Sequence, residues 1–156
     1  MSQDKTPSLP ILRRDRIVDE ARKFLDVPFA HQGRTKRGLD CAGLVLQTGH
    51  SVDHWPDKTF DVTAYKRRPS DSEFERRFLS LFEFKSYKDP HPGCMAAFKL
   101  PIFPCHCGIV AERFGHLSLI HAYADERKVV EQEFTEEWYS KLVGVYEFKG
   151  TEPWPL

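Results

Sequence analysis

The sequence predicts an α+β domain, with helices in its first half and antiparallel strands in its second. Two observations carry this. Apolar residues recur at helical spacing before the middle of the chain and at alternate positions after Cys94. The 156 residues are enough for one buried core, and no internal repeat divides them.

Residues 1–14 read as a loose, polar, proline-containing arm, 15–150 as the domain and 151–156 as a tail. Asp15 to Leu25 predicts an amphipathic helix with Ile17, Val18, Ala21, Phe24 and Leu25 on one face, ended by Pro28. Phe29 to Gly38 is a basic loop punctuated by glycine. A second helix runs from Cys41 to about Gly49, with Asp40 as N-cap or first-turn acid. Ser51 to Pro69 is an irregular excursion anchored by Trp55, Phe60 and Tyr65. Ser70 and Glu73 form a capping box ahead of a third helix striped by Phe74, Phe78, Leu79, Leu81 and Phe82. Strands follow at Met95–Leu100, His106–Glu112, Leu117–Tyr123, Lys128–Phe134 and Val143–Lys149, with a short helix over Thr135–Leu142.

Composition removes several function classes. Lys plus Arg equals Asp plus Glu, 23 against 23, so net charge points to no nucleic-acid partner. No apolar run is long enough for a transmembrane helix. The first residues lack an apolar h-region, so the expectation is synthesis in the cytoplasm without a secretory signal. The four cysteines are then expected as thiols rather than two disulfides. Cys105, His106 and Cys107 resemble a metal cluster only superficially. On a strand, the two thiols point to one face and the imidazole to the other, so no zinc or other metal is expected.

Chemistry concentrates at Cys41, which stands where the second helix begins. Unpaired N–H groups and the positive end of the helix dipole favour thiolate there, and thiolate is the nucleophile. His106 and His121 lie on strands joined by a short turn at Phe114-Gly115. A two-residue turn opposes Arg113 to His116, which places both histidines on one face of the sheet as diagonal neighbours. One can then serve as base for Cys41 while the other orients it. The plainer reading is a buried helix cysteine and a core histidine. His50, His54, His91 and His116 fall in expected loops or turns and read as exposed.

Gly38-Leu39-Asp40-Cys41-Ala42-Gly43-Leu44-Val45 resembles the G-[ILF]-D-C-[SA]-G-[LF]-V signature of NlpC-type cell-wall cysteine peptidases. His106-Cys107-Gly108-Ile109-Val110 is similar to the H-V-G-I-[YV] strand of that family, and Leu119-Ile120-His121-Ala122 to the strand that follows it. The likeness extends from about Asp15 to Phe148. Pro28-Phe29-Ala30-His31-Gln32-Gly33-Arg34, Val129-Val130-Glu131 and the terminal Val143-Gly144-Val145-Tyr146-Glu147-Phe148 resemble the phage-tail or prophage branch.

The resemblance implies a papain-like fold whose nucleophile helix packs on an antiparallel sheet. It implies Cys41 as nucleophile, His106 as general base and acid, and His121 as the residue that orients His106. It implies the backbone N–H of Cys41 as part of an oxyanion hole, and it needs no cofactor. The implied substrate is an amide in peptidoglycan stem peptides, such as the γ-D-glutamyl–diamino acid bond. The implied partners are phage-tail proteins, which would carry the enzyme to the wall. Many members have a tyrosine twelve residues before the cysteine; Phe29 stands there and donates no hydrogen bond. His31 or Gln32 could stand in at the oxyanion, with Asp40 beside them. Cys107 and Cys94 also replace the usual residues and read as packing substitutions. The rival expectations are an acyltransferase using the same thioester and an inactive tail or wall-binding module.

Overall fold

The computed structural model describes residues 11–52, 73–100 and 106–154. Helix α1 spans Arg14–Arg22 and buries Ile17, Val18 and Ala21 along one face. It ends before the expected Leu25. The N–H groups of Phe24 and Leu25 turn back to the carbonyls of Ala21 and Arg22, three residues behind, and Asp26 takes a left-handed φ of 69°. This tight turn closes the helix ahead of Pro28 and still delivers Phe24 to the core.

The basic loop folds into a small hairpin, β1 (Arg34–Thr35) with β2 (Gly38–Leu39), which leads into α2 (Cys41–Ser51). The excursion with Trp55, Phe60 and Tyr65, and Ser70 of the expected capping box, lie outside the described residues, as does Cys105. Helix α3 (Glu73–Leu79) is followed by β3 (Phe82–Ser86), β4 (Met95–Phe98), β5 (His106–Arg113), β6 (His116–Tyr123), a 3-10 turn (Ala124–Glu126), β7 (Lys128–Glu133), α4 (Glu136–Lys141) and β8 (Leu142–Phe148). Strands β3 to β8 make one antiparallel sheet in the order β3-β8-β4-β5-β6-β7.

Strand β3 corrects the expectation that Leu81 and Phe82 extend the third helix. Phe78 and Phe82 are four apart, as in a helix, but Phe82 and Phe84 are two apart, as in a strand. Pairing with β8 decides between them: Phe82 faces Phe148 across the ladder, and the Phe82 ring packs edge-on to Phe78 and Phe148, 5.2 Å from each.

The sheet is buried on both faces. Met95, Cys107, Ile109, Ala111, Ile120, Ala122, Val129 and Phe148 pack in one cluster with residues of α1, which lies against β5, and of α2, which lies against β5 and β6. The alternating residues Ala96, Phe98, Val110, Leu119 and Val145 pack with Phe134 and with Trp138 of α4. Fully burying each Leu, Ile, Val or Phe contributes about 1.5–3 kcal/mol, so both covered faces stabilise the sheet.

The ends of the domain also differ from the expected loose arm and tail. Leu12 is buried and bridges Thr151, the Glu152 N–H donates to the Leu12 carbonyl at 2.9 Å, and the Arg14 N–H donates to the Glu152 carboxylate at 2.9 Å. Residues 11–14 therefore belong to the domain.

Candidate active site

The turn at Phe114 and Gly115 takes left-handed φ values of 56° and 79° and opposes Arg113 to His116, as expected from the sequence. The strand alternation that follows brings His106 and His121 together. Nε2 of His106 lies 2.8 Å from Nδ1 of His121, and both rings are buried. Gly108 makes room for this. A Cβ there would come within 2.9 Å of the Cβ of His121 and 2.7 Å of a Leu119 methyl, so glycine lets the His121 side chain lie across β5.

Aromatic rings enclose the pair. Tyr123 stacks on His121 with centroids 5.0 Å apart and planes 16° apart, and Trp138 meets His121 edge-on at 5.0 Å. Phe98, Tyr123 and Trp138 all pack against His106. Such surroundings disfavour a charged imidazole. Burial holds His106 well below the usual histidine range, helped by repulsion from His121. Burial also pushes His121 down to about 4, against the opposing effect of the hydrogen bond its Nε2–H donates to Gln132. Both rings are therefore neutral near pH 7.

Gln132 is the residue that the sequence reading missed. Its side-chain carbonyl lies 2.6 Å from Nε2 of His121. The signal was available. The strand limits at Tyr123 and Lys128 place those two residues opposite each other, as observed, and the same alternation puts Gln132 diagonal to His121 on its face.

Cys41 is the first residue of α2, half-buried, and packs against the core cluster beneath the helices. The helix lies against β5 and β6 on the face that carries Cys107, Ile109 and Ile120, whereas His106 and His121 project from the alternate face, towards Trp138. Asp40 caps it: Oδ1 accepts the Gly43 N–H at 2.8 Å and an Arg34 N–H at 2.9 Å, and Oδ2 accepts the Gln32 N–H at 2.8 Å. A cap of this type contributes about 1 kcal/mol to the helix. Among the described residues, no hydrogen bond joins Sγ of Cys41 to either imidazole.

No protein-family model and no curated protein matches the chain. Solved structures do match. An NlpC/P60 family protein from Bacillus cereus aligns over 89% of this chain with a TM-score of 0.63 and 17% identity. The NlpC/p60 domain of the peptidoglycan hydrolase SagA aligns over 87% of this chain and 99% of its own length, with a TM-score of 0.60 and 18% identity. The fold is that of the NlpC/P60 proteins. An N-acetylmuramoyl-L-alanine amidase from Bacteroides uniformis is also similar, with a TM-score of 0.56, 12% identity, and 83% of this chain and 96% of its own length aligned. The chain spans about two fifths of the length of the Bacillus cereus protein.

Within this NlpC/P60 fold, the residues expected near an oxyanion separate into two kinds. Asp40 and Gln32 are joined through the backbone N–H of Gln32, so Asp40 holds the hairpin against the head of α2. Phe29 is half-buried, packs against the core under the helices and bridges Leu39. His31 is half-buried in the turn before β1. Cys107 and Cys94 are both buried, each within one of the two apolar clusters, and burial pushes the Cys94 thiol up to about 12.

A second titratable cluster lies away from the histidine pair. His91, expected as an exposed loop residue, is instead buried. Its Nε2 sits 2.9 Å from the Glu147 carboxylate, and its ring stacks on Trp154. Ligand atoms of His91, Cys94 and Glu147 lie within 4.8 Å of one another. This donor set could hold a metal, but Arg14 already occupies it: its guanidinium pairs with Glu147 and approaches Sγ of Cys94 at 3.9 Å. One fixed cation there opposes a second.

Proposed function

We propose that the chain is a cysteine peptidase that hydrolyses amide bonds in peptidoglycan stem peptides. The observation that carries this reading is the buried, neutral imidazole pair of His106 and His121 on a fold shared with NlpC/P60 proteins. Cys41 is the nucleophile, at the head of α2, where its sulfur meets the positive end of the helix dipole. With Nε2 of His106 engaged by His121, Nδ1 is the atom left for the thiol. Catalytic hydrogen bonds are often long before substrate binds and tighten in the Michaelis complex.

In this mechanism His106 takes the thiol proton and sulfur adds to the substrate carbonyl. The C–N bond breaks as the amine leaves with that proton, and a thioester remains. Water, deprotonated by His106, then releases the acid and restores the thiol. The backbone N–H of Cys41 supplies one donor to the oxyanion. The bond that best fits the family resemblance is γ-D-glutamyl–diamino acid. The prophage-like segments around Phe29–Arg34 and Val143–Phe148 favour delivery to the wall by a phage tail.

The test is digestion of purified muropeptides under reducing conditions, with products read by mass spectrometry. The wild type is expected to split the stem after γ-D-glutamate, and Cys41→Ala is expected to leave it whole. Cleavage between the lactyl group and L-alanine would instead point to the amidase reaction named for the Bacteroides uniformis protein. No cleavage by the wild type would favour the inactive binding module.

A further inference from the structure

We propose that Gln132 on β7 is a positioning residue that sets the tautomer of both histidines, so that the free lone pair of His106 lies on Nδ1. This rests on the reading of His106 as the base for Cys41.

The argument follows the protons. An amide carbonyl accepts hydrogen bonds and cannot donate them, so with Oε1 of Gln132 2.6 Å from His121 Nε2, that nitrogen carries the hydrogen. A neutral imidazole has one N–H, so Nδ1 of His121 is bare and accepts. Nε2 of His106, 2.8 Å away, must then donate. By the same count, Nδ1 of His106 is bare and can receive a proton from sulfur. The opposite amide orientation would reverse every member of the chain and leave Nδ1 of His106 protonated, unable to act as base. Burial makes the choice matter, because an unmade bond among these rings has no water to replace it. The register of β6 with β7 supplies the geometry: His121 faces Val130, and Gln132 is its diagonal neighbour on the same face.

The experiment needs no substrate. Nitrogen-15 spectra of the full chain at pH 7 report the hydrogen on each imidazole nitrogen. In the wild type, Nε2 of both histidines is expected to be protonated, and Nδ1 of His106 to give the resonance of a bare nitrogen. Gln132→Leu is expected to leave a mixture of tautomers and to lower kcat/KM on muropeptides about tenfold, the scale of one buried hydrogen bond. Gln132→Glu keeps an acceptor in place and is expected to restore the wild-type tautomers. A hydrogen on Nδ1 of His106 in the wild type, or an unchanged spectrum in folded Gln132→Leu, overturns the proposal. Because the wild-type spectrum is decisive alone, a variant that fails to fold does not shelter it. If the spectrum matches but muropeptides stay whole, the tautomer assignment stands and the peptidase reading fails.

Discussion

Gly108 on β5 lies directly beneath His121 on β6, with the position of its missing Cβ only 2.9 Å from that of the histidine. The contact ties a backbone choice on one strand to the chemistry of the next. Gly108→Ala is expected to push His121 away from His106 and to cost about 1–3 kcal/mol through overpacking. Urea unfolding measures the stability, and muropeptide turnover should fall more than stability alone explains. Full activity in a stable Gly108→Ala would mean that the close approach has no part in holding the pair.

The aromatic enclosure predicts a pH dependence. His106 and His121 are held below the ordinary histidine value of 6.5, His121 at about 4. Between those values the unfolded chain binds more protons than the folded one, so stability rises with pH. Folding stability from these groups is therefore lost as pH falls from about 6.5 towards 4. The acid limb of kcat/KM should likewise lie below 6.5. Trp138→Ala removes one wall of the enclosure. It should cost about 3–5 kcal/mol and move the histidine titrations, followed by NMR, back towards 6.5.

Thiol reactivity separates Cys41 from its neighbours. Cys94 and Cys107 are buried, and Cys94 is held at about 12 by its surroundings, whereas Cys41 is half-exposed at a helix head. A mild alkylating agent at neutral pH, with sites mapped by mass spectrometry, should label Cys41 at least about tenfold faster than either. Equal rates would remove the main reason to treat Cys41 as a nucleophile.

Arg14 and Glu147 should govern acid stability. Their side chains are only 7% and 5% exposed, so removing one leaves the other charge buried without its partner. Glu147→Gln is expected to cost about 3–5 kcal/mol in urea unfolding. Burial opposes the Glu147 charge, but hydrogen bonds from His91 and Arg14 outweigh it and hold the carboxyl below its ordinary 4.5. A lowered carboxyl contributes stability above 4.5 that disappears as pH falls through the folded-state value. The wild type should therefore lose stability on acidification below 4.5 more steeply than Glu147→Gln.

Much of this molecule was legible in the order of its residues, because short-range rules suffice for it. Cys41 at a helix head follows from Asp40 before it and the apolar run behind it. The shared face of His106 and His121 follows from a two-residue turn and the period of a strand. Other features depend on which distant segments meet. Phe82 obeyed both helical and strand spacing until β8 claimed it. His91 looked like a loop histidine until Arg14, Glu147 and Trp154 closed around it. Gln132 carried no local mark of importance, and its role comes from standing diagonal to His121 across a ladder. Spacing along a chain specifies which way a side chain points. Neutral imidazoles, a buried ion pair and a selected tautomer arise only when separate strands and helices exclude water from the same few cubic ångströms, and that exclusion is a property of packing.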